Sequence, residues 1–352
     1  MLRLKKSNAL LWLYPIFALT FSIYVLTHSL ACSFYTKKAL DICFTTLVPS
    51  LFPFVFAAAF LSCVMPEITK ENRILNTLSR LFGVPPTLIA GVLLGLFSGF
   101  PSGAVFVTKI FRRGLCTKEE AVRAVCLSNN CSASFLINIA GVSVFKSAEY
   151  GVILLVCQIL SVVTASQILK KVYRDNSHIS TFVPKENKRS AVSYSKAFTD
   201  SIKSSCLSML YISGFVTFFF TLSSLLCDSL FPSSDIFRLI SGATFEISTG
   251  TIACANLRFP LSFVLCAFCI CFPSLSVLFQ IKSICDECFD VTKQYVFTRL
   301  CMSLLSASFA CMILRYGILK CAVFCMFFSA FCVCIPTLRK TLKRHRVKNV
   351  QK

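Results

Sequence analysis

Long apolar runs separated by short polar links set the pattern of this chain. Runs at about 10–32, 40–64, 150–169, 204–227, 259–284, 299–315 and 319–336 reach or approach the ~20 residues that cross a bilayer. Two further stretches are apolar in setting but heavily punctuated. Gly95-Leu96-Phe97-Ser98-Gly99-Phe100-Pro101-Ser102-Gly103-Ala104 lies inside the run 84–110 and places three glycines, a proline and two serines in ten positions. Ile240-Ser241-Gly242-Ala243-Thr244-Phe245-Glu246-Ile247-Ser248-Thr249-Gly250-Thr251 is equally small and polar. Proline removes a backbone donor and glycine loosens a helix, so neither stretch suits an unbroken span. In hydrocarbon the freed backbone groups need a partner in protein or in a wet cavity. The pattern therefore predicts two re-entrant helical hairpins. A kinked span with small residues for close packing is what the first motif alone equally allows.

The flanks of the first hairpin favour re-entry. Arg73 and Arg80 precede it, and Lys109, Arg112, Arg113 and Lys118 follow it. A hairpin keeps both clusters on one side, whereas a straight span would put one of them outside. Thr117-Lys118-Glu119-Glu120 then reads as a helix start, with a threonine cap and a carboxylate three residues on. That helix is predicted to run to about Phe145. Its centre, Ser128-Asn129-Asn130-Cys131-Ser132-Ala133-Ser134, is costly against lipid and should face the bundle interior or a cavity. The later run 259–284 also has a polar interior, with Pro273-Ser274-Leu275-Ser276 and Gln280. A short turn is expected at Tyr35-Thr36-Lys37-Lys38, a kink at Pro49 and Pro53, and a loop at 66–82.

Each half thus reads span, hairpin, then span with a polar middle. Gly95 and Gly103 are eight apart, as are Gly242 and Gly250. Counting crossings makes the halves inverted relative to one another, a plan used by secondary transporters. The predicted fold is an all-α polytopic membrane protein with two inverted repeats, each carrying a re-entrant helical hairpin, and about seven to eight full spans. Its parts are an N-terminal span (1–38), a first gate-like repeat (39–169) and a basic cytoplasmic loop (170–203). A second gate-like repeat (204–298), a terminal helical pair (299–336) and a basic cytoplasmic tail (337–352) complete it.

Composition agrees with a membrane setting. Of 352 residues, 56% are apolar and 14% charged, with mean hydropathy +0.74. The net charge of +21 is concentrated in the loop 170–203 and the tail, which holds both termini in the cytoplasm by the positive-inside rule. Topology accounts for these clusters, so no nucleic-acid partner is expected. The 21 cysteines are mostly scattered singly in apolar runs, as small buried hydrophobes. Cys285 and Cys288, and Cys266 and Cys269, form two CxxC pairs without the histidines a zinc site would add, so no metal and no cofactor is expected. No cleavable signal peptide is expected, because 10–32 is long and lacks a small-residue cleavage site. The chain has no H-E-x-x-H motif and no phosphate-cradling P-loop, so an enzyme is not expected.

The small and polar positions on the predicted hairpins and polar-centred helices are the candidate substrate-binding residues. Ser98, Gly99, Pro101, Ser102 and Gly103 come from the first hairpin, and Ser128, Asn129 and Asn130 from the helix after it. Glu246, Thr249, Gly250 and Gln280 come from the second half. Glu246 is the one carboxylate in the apolar part of the second hairpin, and an ionisable group there is a functional candidate. Pairing with nearby Arg238 is its bland alternative.

Pro49-Ser50-Leu51-Phe52-Pro53-Phe54, Ser98-Gly99-Phe100-Pro101-Ser102-Gly103-Ala104, Glu120-Ala121-Val122-Arg123 with Ser128-Asn129-Asn130, and Phe245-Glu246-Ile247-Ser248-Thr249-Gly250 resemble a known pattern. It is that of the YlbJ-type, or SpoVV-type, sporulation integral membrane proteins. These belong with the nucleoside-recognition gate domain proteins, distantly like concentrative nucleoside transporters. The resemblance covers roughly residues 39–300. This sequence departs from the pattern at Cys131-Ser132-Ala133-Ser134 and lacks a glycine pair near Pro273. The resemblance implies transport of dipicolinic acid from mother cell to forespore, in the mother-cell-derived outer forespore membrane. A small anionic solute and the lipid bilayer are then the partners, with a homo-oligomer left open. An ion-coupled nucleoside-type carrier shares the scaffold. A non-transporting membrane scaffold, recruiting through the basic loop and tail, is the reading from another class.

Overall fold

A computed structural model describes residues 8–64, 73–172, 194–230, 232–285, 287–318 and 320. The basic residues at 3–6, the body of the basic loop at 173–193, the expected span 319–336 apart from residue 320, and the basic tail lie outside the described residues. Among the described residues every regular element is helical.

Helices α1 (Asn8–Thr27) and α2 (Ser29–Ile42) meet at His28. The turn expected at Tyr35–Lys38 is therefore helical. Those four residues include no glycine or proline. Tyr35 also bonds the Asp228 carboxylate of a later helix, and Thr36 lies 3.3 Å from the Thr221 hydroxyl. A π-helical segment, Cys43–Leu47, joins α2 to α3 (Val48–Val64). The widening falls just before Pro49, whose missing amide hydrogen leaves the Thr45 carbonyl without its helical donor.

Part of the loop expected at 66–82 is a helix, α4 (Arg73–Phe82), bent by 70° from α5 (Pro86–Phe97). Ile74 is exposed on it while Ser79 and Phe82 are buried. Its last carbonyls are closed by polar side chains from elsewhere. Leu81 O accepts from Ser166 Oγ at 3.0 Å and Lys170 Nζ at 2.8 Å, and Gly83 O accepts from Arg123 at 2.8 Å. Arg113 does the same for α3, donating to Ser62 O at 2.5 Å and Cys63 O at 2.8 Å. Cationic donors at a helix C-terminus satisfy orphan carbonyls and complement the dipole. Part of the basic flank of the first hairpin is thus structural capping.

Helices α5 and α6 (Ser102–Arg112) pack side by side as the expected hairpin. At 1.5 Å per residue each arm is under about 20 Å long, short of the ~30 Å hydrocarbon core. Helix α7 (Lys118–Ser128) opens with the predicted cap, Glu120 N donating to Thr117 Oγ1 and Thr117 N to Glu120 Oε2. It does not continue to Phe145. The chain is irregular over 129–132 and then resumes, π-helical over Phe135–Val144, before α8 (Ala148–Val172).

Helix α9 (Tyr194–Leu230) begins within the predicted basic loop and leads to a second hairpin, α10 (Asp235–Phe245) and α11 (Ile247–Ala253). The run expected as one span at 259–284 is two helices, α12 (Leu261–Cys269) and α13 (Leu275–Cys285), divided at 270–274. Pro273 forbids a regular helix there. Helix α14 (Thr292–Tyr316) follows. Asp290 Oδ1 accepts from both the amide and the hydroxyl of Thr292, which also holds the Asp290 carboxyl below its usual range. The order hairpin, divided helix, long helix therefore occurs twice.

Among the described residues, 29–63, 148–170, 194–230 and 292–316 are each long and apolar enough to cross a membrane, and the bent α4–α5 pair would make five. The chain is a multi-pass membrane protein, all-helical among the described residues. The count falls below seven to eight because two expected spans are divided, 319–336 lies outside the described residues apart from residue 320, and α1 contributes only a shorter apolar helix. Helix α3 packs along α9 and α8 along α14, and the two hairpins and two divided helices fill the space between.

Candidate functional site

The site is built where two hairpin tips meet a broken helix. Helices α5, α6 and α7 approach so closely that glycine is obligatory at two points. A Cβ on Gly95 would lie 1.6 Å from the Ser128 carbonyl oxygen, and one on Gly103 2.4 Å from Ser128 Cβ. The same spacing works differently in the second half. There Gly242 and Gly250 face each other, and a Cβ on Gly242 would lie 2.4 Å from Gly250 N. The matching eight-residue intervals thus mark a hairpin docked on α7 in one half and the contact between the two hairpin arms in the other.

Between α5 and α6 the chain turns through Gly99 (φ +83°), which packs on Ser132. At this tip Phe100 N donates to Asn130 O at 2.7 Å. The break at 129–132 is satisfied from two other helices. Gln158 on α8 reads both main-chain groups of one residue: Cys131 N donates to Gln158 Oε1 at 3.1 Å, and Gln158 Nε2 donates to Cys131 O at 3.0 Å. Arg299 on α14 is 1% exposed. Its fork joins the two breaks, donating to Asn130 Oδ1 at 3.0 Å and to Ile270 O at 3.2 Å. Asn129 Nδ2 donates to Tyr295 OH at 2.8 Å, one turn earlier on α14.

At the second tip Glu246 is extended (φ −151°, ψ 125°) and caps α11, its Oε2 accepting from Thr249 N at 3.1 Å. Glu246 is 2% exposed, and Arg238, its alternative partner, is paired instead with Asp228 at 2.8 Å. Both tips open on one cavity of about 340 Å³. Phe100 comes from the first tip, Cys131 and Ser132 from the break, and Glu246, Ile247 and Ser248 from the second tip. The two π-helical segments add further lining, Thr45 and Thr46 from one and Phe135 and Asn138 from the other. Ser50 and Ser134 add hydroxyls, and Ile212 and Val216 of α9 add apolar surface. Among the described residues, Glu246 is the one charged side chain in this lining, which includes no lysine, arginine or histidine.

Of the predicted set, Glu246 alone lines the cavity. Ser98, Gly99, Pro101, Ser102, Gly103, Ser128, Asn129 and Asn130 form the joint directly behind it. Thr249 and Gly250 belong to α11, where Thr249 serves Glu246 through its amide. Gln280 sits apart on α13, its Nε2 donating to Ser276 Oγ at 3.0 Å. Ser102 Oγ, Asn129 Oδ1, Thr249 Oγ1 and Gln280 Oε1 are buried without a protein partner. The sequence reading missed Gln158, Tyr295 and Arg299, along with Thr45, Thr46, Asn138 and Ser248. An arginine next to an apolar run was the available signal for Arg299, but its place at a run's edge reads as a membrane boundary. Arg299→Lys is expected to cost about 1–2 kcal/mol in thermal unfolding, since one ammonium cannot reproduce a fork that reaches two acceptors. Unchanged melting would show that one of these bonds is dispensable.

Of the predicted pair Cys285 and Cys288, Cys285 is buried and Cys288 joins a surface clamp. Arg112 pairs with Glu287 at 2.7 Å and donates Nε–H to Cys288 Sγ at 3.2 Å, tying α6 to the turn after α13.

The chain is similar to the sporulation integral membrane protein YlbJ of Bacillus subtilis (strain 168). It is 23% identical to it over 344 residues, covering 88% of this chain and 83% of that protein. The resemblance seen in the motifs is thereby borne out as a distant relationship. No family model and no solved structure matches the chain.

Proposed function

We propose that this chain is a secondary transporter that moves a small aromatic carboxylate, dipicolinic acid, from mother cell to forespore. The carrying observation is the cavity on which two hairpin tips and a broken helix converge. Such breaks expose backbone and side-chain hydrogen-bonding groups where only a protein-lined cavity tolerates them. The similarity to a sporulation membrane protein supports the setting, the mother-cell-derived outer forespore membrane. In this reading the two halves are inverted, both termini are cytoplasmic, and the basic inner face concentrates an anion near the entrance. The chain works as a carrier without a cofactor.

Glu246→Ala and Asn129→Ala are expected to lower dipicolinate accumulation about tenfold or more, the equivalent of ~1.4 kcal/mol in binding. The assay is spore dipicolinate content in a spore-forming host that lacks its own carrier, at matched protein levels. Accumulation unchanged in both variants would reject the site.

A nucleoside-type carrier is the second reading, and the lining favours it in one respect. A carboxylate surrounded by hydroxyls and an amide suits the hydroxyls of a sugar. Displacement of bound dipicolinate by nucleosides, with tighter binding of the nucleoside, would select that reading.

A further inference from the structure

The proposed solute is an anion, yet the charged group that faces the cavity is another carboxylate. We infer that the solute is bound together with a proton, shared between one of its carboxylate oxygens and Glu246. This rests on the transport reading and adds to it the chemistry of coupling. Two carboxylates in contact inside a poorly hydrated site do not both stay ionised; one proton bridges them and turns repulsion into a short hydrogen bond. The proton comes from the aqueous side with the solute and leaves with it.

Among the described residues, no cationic side chain faces Glu246 to balance a second negative charge. Of the nearby thiols, Cys131 lines the cavity, Cys43 begins the π-helical turn whose Thr45 and Thr46 line it, and Cys254 donates to Gly250 O at 3.4 Å after α11. Helix α12 brings Cys266 and Cys269, and the segment Phe135–Val144 carries no ionisable group. None of these is a cation. Asp41, on the helix that enters the π-helical turn, is exposed and does not line the cavity. Helix α9 presents Ile212 and Val216 to the cavity. Its charges, and those of α10, lie towards their ends, where Asp228 is paired with Arg238 and Asp235 accepts from Asn256. Lys282 sits in the last turn of α13 and does not line the cavity. Arg299 lies behind the break with its fork given to Asn130 and Ile270. Glu246 keeps one oxygen on the Thr249 amide, which holds the carboxyl group in place at the tip.

The sign follows from proton uptake on binding. A dicarboxylate is fully ionised above about pH 5. A complex that takes up one proton must then bind more weakly as pH rises, by up to about tenfold per unit. The test is calorimetric titration of dipicolinate into the purified full-length protein between pH 5.5 and 8. It is repeated in buffers of different ionisation enthalpy, which count protons directly. At pH 8, where free solute and free protein are both ionised, the wild type should take up close to one proton, and its binding should weaken as pH rises towards that value. Glu246→Gln, with a permanent donor in place of the shared proton, should take up none and bind with an affinity flat within about twofold across the range. Should Glu246→Gln not fold, as judged by gel filtration, Glu246→Asp keeps the carboxylate and must keep the proton uptake. Dipicolinate binding with no proton uptake in the wild type at pH 8 would overturn the inference and leave the transport reading standing. Binding that requires an added divalent cation would also overturn it. No dipicolinate binding at any pH would remove the reading and the inference together.

Discussion

Gly95→Ala is expected to prevent recovery of folded protein, or to lower its stability by about 3 kcal/mol or more. The added methyl group would meet the Ser128 carbonyl oxygen at 1.6 Å and its carbon at 2.4 Å. Both atoms are main chain, so no side chain can swing aside; α5 and α7 would have to separate by more than an ångström. Overpacking a close-packed interior typically costs 1–3 kcal/mol, and this contact is tighter than a rotamer change can relieve. The same substitution at Gly214, where nothing lies within 4 Å, should be neutral or gain up to about 1 kcal/mol through helix propensity. Thermal unfolding in detergent, with gel-filtration profiles of both variants, makes the comparison. Equal behaviour of the two would mean that α5 does not dock on α7 as described.

The second large effect is expected at Gln158. Its amide holds both the N–H and the C=O of Cys131, in a stretch with no helical partner for either. Gln158→Leu keeps the size and deletes both bonds. Each buried backbone group left unpaired costs about 1–3 kcal/mol, so a loss of about 2–4 kcal/mol is expected. Gln158→Glu should not rescue it, because a carboxylate would face the Cys131 carbonyl with acceptor against acceptor. A Gln158→Leu protein that melts like the wild type would show that the break is held chiefly by Arg299 and the first hairpin tip.

How much of this was legible in the sequence depends on the range of the interaction. Local signals carried through. The small, polar, glycine-punctuated stretches mark both hairpins, and Thr117 with Glu120 marks the start of α7, because these features are settled within one turn or one hairpin. The polar centre at 128–134 was recognised as belonging inside. Its being a break rather than a continuous helix was not, since serine and asparagine are tolerated in either. The same holds for 270–274, where the run of apolar residues around Pro273 gives no sign of the division. The partners that make the breaks affordable are remote. Arg299 reaches residues 169 and 29 positions away, and Gln158 reaches back 27. Hydropathy windows assign each residue to a run and carry no information on such pairings. The π-helical segments were equally silent, although Pro49 gives the first of them a local cause.

The joint at the first tip has one more property. The bond from the Phe100 amide to the Asn130 carbonyl, the carbonyl of Ile270 that Arg299 reads and the Cys131 groups that Gln158 reads all belong to the main chain. Most side chains around them can be exchanged without touching those atoms. A mechanism hinged on such contacts can persist while its amino acids drift, and only proline at a donor position or bulk at a glycine would announce the loss. The 23% identity to the sporulation protein is the regime in which that distinction matters. There, the positions to compare between relatives are the glycines and the two long polar side chains, rather than the lining of the cavity.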